Sequence, residues 1–207
     1  MKLKKWLVKR KFYILIRYLL SFVEFLQILF KSLGKKNKQT VYCVSPYKTG
    51  TTYLSNLFDV DGYKSAHEPY QHLSILLKNS SWFLRRRNKA LQLDLECSGF
   101  FSSSLSALSK LDDVRFVLIY REFFSWSKSI INHHTYLTTL QGYPYTLRLV
   151  TDHICKFKTE SFIDLPLKEK DEYILNLYNF WLSFYEKEIF AKSDTLIVDI
   201  ASIDANI

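Results

Sequence analysis

The chain is poor in cysteine and has no long apolar run free of charge. Its three cysteines, Cys43, Cys97 and Cys155, are odd in number and widely separated, which supplies neither a disulfide framework nor a metal-ligand spacing. The adjacent His133 and His134 have no partner at ligand spacing, so no metal is implied. No zinc-finger or RNA-recognition signature is present, and the basic residues are scattered or gathered at the N-terminus rather than laid in a stripe, which argues against nucleic acid. There is no internal repeat. The Gly-x-x-x-x-Gly-Lys-Ser/Thr order of the nucleoside triphosphatase loop is also missing.

What is present is enough to build a core. Of 207 residues, 48% are apolar, with Tyr and Phe unusually abundant, so one sizeable domain is expected. The formal charge of +9 points to anionic partners.

Residues 1–38 read as a separate unit. Met1 to Lys11 is strongly basic, Phe12 to Phe30 is mostly apolar, and Lys31 to Lys38 is a basic, polar linker. Within the apolar stretch, Arg17, Ser21, Glu24 and Lys31 recur at helical intervals and form one narrow polar stripe. A clean membrane span would rarely carry Arg17 and Glu24 near its middle, and a cleavable signal peptide would have a shorter uncharged core and a small-residue site. The favoured expectation is an amphipathic helix lying peripherally on the cytoplasmic side of a membrane, its lysines meeting anionic lipid. A single-pass signal-anchor is the rival, and a helix packed on the domain itself is the third reading.

The most informative stretch follows. The apolar run Thr40 to Val44 reads as a short buried strand, and periodicity resumes at Tyr53, Leu54, Leu57 and Phe58, so a helix is predicted from about Thr51. Ser45-Pro46-Tyr47-Lys48-Thr49-Gly50-Thr51-Thr52 is therefore a strand-to-helix turn carrying a lysine, a glycine and several hydroxyls. That is a phosphate cradle: backbone N–H groups converge on an anion, the helix start adds favourable potential, and Lys48 supplies a mobile charge. Lys48 stands before Gly50, with no glycine five residues before it, so the cradle does not have the triphosphatase order.

A second segment has the same character. Val114 to Tyr120 is a near-continuous apolar run, as in a central parallel strand, and it ends at Arg121. An arginine at a strand's carboxyl end faces the ligand crevice of an α/β sheet, and its planar fork suits phosphate. Ser129 stands eight residues on, about two turns into the next helix. A third segment is His67-Glu68-Pro69, after a strand expected around Tyr63 to Ala66. Either Glu68 or His67 is placed to act as a base, or Glu68 caps a helix that starts near Tyr70 with Pro69 in its first turn.

Pro-x-Lys-Ser/Thr-Gly-Thr-Thr, with Arg-x7-Ser downstream, resembles the 5′-phosphosulfate loop and the 3′-phosphate site of the sulfotransferases that use 3′-phosphoadenosine 5′-phosphosulfate (PAPS). The similarity spans about Thr40 to Ile203. It implies a three-layer P-loop NTPase-like parallel sheet flanked by helices, and transfer of a sulfuryl group to a hydroxyl acceptor, a glycan or glycolipid. It also implies that Lys48, Thr49, Gly50, Thr51 and Thr52 hold the 5′-phosphate, that Arg121 and Ser129 hold the 3′-phosphate, and that Tyr53 either stacks near adenine or packs on its helix. Glu68 resembles a glutamate proposed as the base in several carbohydrate and bacterial members. A histidine serves in the small-molecule branch, on a later strand than His67. No metal is implied. Two features depart from the family: Glu122-Phe123 replaces the usual Asp-Pro or Asn-Pro, and the glycine- and basic-rich loop that commonly follows the last strand is missing before Ile207. Either Arg121 and Ser129 suffice, another basic residue substitutes, or the protein is a truncated, non-catalytic relative that keeps the fold and nucleotide binding.

Elsewhere, Leu91 to Cys97 reads as a buried strand followed by helix through Leu108. Lys168 to Lys192 reads as a long helix with Tyr173, Leu177, Phe180, Trp181 and Phe184 as a core stripe, and Thr195 to Ile200 as a final strand. Strands alternating with helices predict a parallel sheet covered on both faces. Arg85-Arg86-Arg87 is expected either on a solvated helix face or against an acidic acceptor. Tyr136 to Asp164, weakly patterned, is expected to cover a substrate.

Overall fold

The structure is a computed structural model, and it describes residues 2–111, 114–139, 162–187 and 195–203. Most of the expected covering segment and Cys155 lie outside the described residues. In chain order the elements are α1 (Lys2–Ser32), β1 (Val41–Cys43), α2 (Thr51–Leu57), β2 (Ser65–His67), α3 (Gln71–Leu77), α4 (Ser81–Leu91), β3 (Leu95–Cys97), a 3₁₀ turn (Gly99–Ser103), α5 (Leu105–Leu108) and β4 (Arg115–Tyr120). Then come α6 (Phe123–Thr139), a 3₁₀ turn (Phe162–Asp164), α7 (Leu167–Tyr185), β5 (Thr195–Asp199) and α8 (Ile200–Ile203).

The protein is α/β, as expected. Its five strands form one sheet in the order β2-β3-β1-β4-β5, and every pairing is parallel. Val41 sits opposite Leu95 on one side and Arg115 on the other, so the strand that leads into the lysine turn is the centre of the sheet. Parallel strands need crossover connections, and the α2 segment after β1 and the α4–β3 passage supply them. Cys43, Leu95, Cys97 and Ile119 are buried together with Leu54 of α2. Cys43 and Cys97 are paired in register, and the hydrogen bond with Cys43 together with burial pushes the Cys97 thiol well up, which disfavours its thiolate.

The chain divides into two compact units: residues 1–120 with 188–207, which hold the sheet, and residues 121–187. In the second unit α6 and α7 share an aromatic core. Trp126 stacks on Phe180 with ring centroids 6.2 Å apart, Phe123 meets Tyr178 edge-on at 5.1 Å, and Trp181 Nε1 donates to the Arg121 carbonyl at 3.0 Å. The stripe read from the sequence is thus packing.

Helix α1 lies against α3 and α4 of the first unit. Ser21, Ile28 and Ser32 are buried there. Glu24 accepts a hydrogen bond from the Leu73 N–H at 2.6 Å, and Lys31 Nζ donates to the Tyr70 hydroxyl at 3.2 Å. Ser21, Glu24 and Lys31 of the polar stripe are therefore turned to the domain, while Leu15, Leu19, Phe22 and Phe30 are exposed.

Arg87 is neither on a solvated face nor against an outside acceptor: it is 1% exposed. Phe83, Leu84, Arg87, Asn88 and Ala90 are the buried side of α4, so the last of the three arginines falls on the inward phase while its neighbours do not. Its guanidinium binds both carboxylate oxygens of the equally buried Glu96, and also Ser74 Oγ at 2.7 Å and the Pro69 carbonyl at 2.6 Å.

Candidate anion-binding site

The turn after β1 is built as its residue types require. Ser45 is fully buried, and its hydroxyl accepts from the Ile119 N–H of β4, while the Val44 N–H donates to the Val117 carbonyl at 3.2 Å. These bonds fix where the chain leaves the sheet. Thr49 is also buried, and its hydroxyl donates to the Pro46 carbonyl at 2.7 Å. That hydroxyl closes the turn, so what Thr49 offers a ligand is its main chain.

Lys48 adopts φ 67 and Gly50 φ 104, both left-handed. Glycine suits the second position because L side chains rarely adopt φ 104; a Cβ there would also lie 2.6 Å from Ile200 Cδ1, the tip of a flexible side chain. Lysine carries a steric cost at φ 67 that glycine would not. The left-handed pair turns the chain sharply into α2, whose first turn has Gly50 as its N-cap and no side-chain cap. The opening N–H groups of a helix have no intrahelical partner, so those of Thr51 to Tyr53 are the donors the cradle presents. With seven residues, α2 adds little dipole. Lys48 and these donors are the cationic and N–H groups that this turn offers to a ligand.

β2 brings the third segment alongside. His67 ends that strand, and its Nε2 lies 3.2 Å from Thr51 Oγ1 and 3.1 Å from Thr52 Oγ1. Partial burial lowers the His67 pKa, and the Lys48 charge lowers it further, which favours the neutral ring. Glu68 follows at φ 48 and Tyr70 at φ 51, again left-handed without glycine. The Glu68 N–H donates to the Cys97 carbonyl at 3.1 Å, and its carboxylate accepts from Gln71 Nε2 at 2.9 Å and from the Gly99 N–H. Glu68 bonds the Gln71 side chain, while α3 takes Tyr70 as its N-cap and has no side-chain cap. Desolvation pushes the Glu68 pKa up to about 7; the Gly99 N–H opposes this, Glu96 adds to it, and Lys48 opposes it. Burial lowers the Lys48 pKa, and Glu68 partly restores it.

The structure therefore gathers Lys48, Thr51, Thr52, His67 and Glu68 in one place in the first unit. Tyr53 is 39% exposed on α2. Arg121 and Ser129 lie in the second unit: Arg121 Nε donates to Ser125 Oγ at 3.0 Å, and Ser129 is one turn beyond Ser125 on the same side of α6. Glu122, which departs from the family pattern, caps α6 by accepting from the N–H groups of Phe124 and Ser125, each at 2.9 Å.

Sequence reasoning missed the support behind Glu68. Arg87 holds the Pro69 carbonyl, Ser98 Oγ donates to Glu96 at 2.7 Å, and Tyr47 packs on Gly99, where a Cβ would meet its ring at 3.0 Å. The phase of Arg87 within the Phe83–Leu84–Asn88 stripe was the available signal. A small cavity lined by Asn37, Thr40, Asn88 and Val114 lies at the amino ends of the strands, away from the cradle. No group of three or more metal-ligating side chains occurs among the described residues. In comparisons with family models, curated proteins and solved structures, the chain matches none of them.

Proposed function

We propose that the protein is a PAPS-dependent sulfotransferase acting on a hydroxyl acceptor, a glycan or glycolipid, and that its sheet is the P-loop NTPase-like arrangement. The observation that carries this reading is the meeting of Lys48 and the uncapped start of α2 with His67 and Glu68, two residues suited to proton transfer. Strand order adds support. The connection from β1 leaves toward β2 and that from β4 toward β5, so the topological switch falls between the adjacent strands β1 and β4, where α/β sheets bind ligands at the carboxyl ends. Lys48 follows the first of those strands and Arg121 directly follows the second.

The donor set fits a phosphosulfate: a lysine, main-chain N–H groups and two hydroxyls, with no metal ligands required. PAPS, when bound, supplies a sulfuryl group on a 5′-phosphate leaving group. Lys48 and the N–H groups of Thr51 to Tyr53 would balance charge on that phosphate as its S–O bond breaks. Glu68, whose pKa is near 7, would take the acceptor's proton as the new S–O bond forms. Neutral His67 would orient the Thr51 and Thr52 hydroxyls, and it is the alternative base. Arg121 and Ser129 would hold the 3′-phosphate.

Calorimetric titration with 3′-phosphoadenosine 5′-phosphate, set against ATP, tests the reading. Preferential binding of the former that is lost in Lys48→Ala supports it. Preference for ATP, or binding of neither, rejects it. Binding without turnover on any hydroxyl acceptor leaves the non-catalytic relative.

A further inference from the structure

Helix α1 is amphipathic in the reverse sense to a helix docked on a soluble domain. Its inward side carries Ser21, Glu24 and Ser32 beside Ile28, while Leu15, Leu19, Phe22, Val23, Leu26 and Phe30 are all at least 36% exposed, Phe30 to 70%. At 3.6 residues per turn those six occupy one side of the helix, and no charged residue falls among them. A contiguous apolar patch of this kind on a protein surface marks something that covers it.

The charge distribution says what covers it. Residues 1–38 carry eleven Lys and Arg against the single Glu24, while residues 39–207 carry 18 basic and 19 acidic residues. The whole positive excess of the protein therefore lies in α1 and the linker after it, at both ends of the apolar face. A second copy of this chain pairing through that face would bring two such segments together and repel. An anionic bilayer complements both the apolar face and its basic flanks. No helix among the described residues is long and apolar enough to cross a membrane, and Glu24 and Lys31 are committed to α3. We infer that the outer face of α1 is a docking surface for anionic phospholipid, with the helix lying in the interface while its polar stripe stays bonded to the domain. The segment it bonds, Tyr70 to Leu73, begins two residues after Glu68 and leads into α3, while α4 supplies the rest of the seat. The inference is independent of sulfuryl transfer, and vesicle binding needs no nucleotide.

The test is co-sedimentation of the full chain with phosphatidylcholine vesicles and with vesicles holding about one-third phosphatidylserine. The wild type is expected to bind the anionic vesicles at least tenfold more tightly. The variant Phe22→Ser/Leu26→Ser/Phe30→Ser is expected to lose tenfold or more in that binding with no fall in its thermal midpoint, because these side chains touch solvent. If the triple variant does not fold, Phe30→Ser alone carries the comparison. Absence of vesicle binding overturns the inference, as does binding that the outer-face variants leave unchanged. A dimer in sedimentation velocity that those variants dissolve would assign the face to a second copy and also overturn it.

Discussion

Lys48 and Glu68, twenty residues apart in the chain, both sit in the left-handed backbone region and feel one another's charge. Four non-glycine residues have positive φ among the described residues, and three of them, Lys48, Glu68 and Tyr70, belong to this corner. Such positions persist where the surroundings enforce them, and they gather at ligand sites. Here the enforcement is visible: Ser45 tied to β4, Thr49 tied to Pro46, and the Pro69 carbonyl held by Arg87.

Lys48→Ala removes the only lysine in the cradle. It is expected to abolish binding of 3′-phosphoadenosine 5′-phosphate and turnover, with the thermal midpoint unchanged or slightly raised, since the native ammonium is partly desolvated. Calorimetry and a melting curve on the same preparation check both halves. Nucleotide affinity equal to wild type would remove Lys48 from the site.

Glu68 gives a pH signature. Its folded-state pKa is raised from 4.5 to about 7, so the folded protein holds the proton more tightly than the unfolded chain does. The stability from that proton is full below the unfolded value and is lost as pH rises through about 7. Glu68→Gln is therefore expected to be more stable than wild type at about pH 8, by about 1–3 kcal/mol, with the gap closing toward about pH 4.5. As a base Glu68 must be ionised, so kcat/KM should climb through pH 7 in the wild type, and that limb should vanish in Glu68→Gln. A limb that survives in the Gln variant would move the base to His67.

The buried pair Arg87–Glu96 predicts non-additive stability. Arg87→Met leaves a carboxylate 1% exposed without its cation, and breaking a buried pair this way costs about 3–5 kcal/mol. Arg87→Met/Glu96→Gln should cost clearly less than the two single changes combined, because neither charge is then stranded. Urea unfolding of the four proteins measures the coupling. Strict additivity would mean that the pair acts through packing alone.

Much of this was legible in the chain. The turn from β1 into α2, the apolar strand that ends before Arg121, and the α7 stripe are local patterns, and local patterns report local structure. What stayed hidden was contact between segments. The polar stripe of α1 was visible, but nothing local tells whether such a stripe faces water or a neighbour. Arg87 was masked by Arg85 and Arg86, since a run of like charges reads as a surface until its helical phase is fixed by the partner element. The hydrogen bonds from His67 to Thr51 and Thr52 depend on strand order, which places β2 beside β3 and not beside β1. The side chains of Arg17 and His134 lie outside the described residues.

Gly50 allows two causes to be separated. Alanine there meets a left-handed φ of 104 and a contact of 2.6 Å with Ile200 Cδ1. The contact is with the tip of a flexible side chain, which can swing aside, whereas the backbone angle cannot relax without unwinding the entry to α2. Strain at such an angle is worth about 1–3 kcal/mol. Gly50→Ala should therefore lose stability on that order and weaken nucleotide binding together with it, because the donors of Thr51 to Tyr53 are aimed by this turn. Adding Ile200→Ala should restore little of either. Thermal melts and calorimetry on the single and double variants decide between the causes: full recovery in the double variant would show that crowding, not backbone angle, is what glycine avoids at this position.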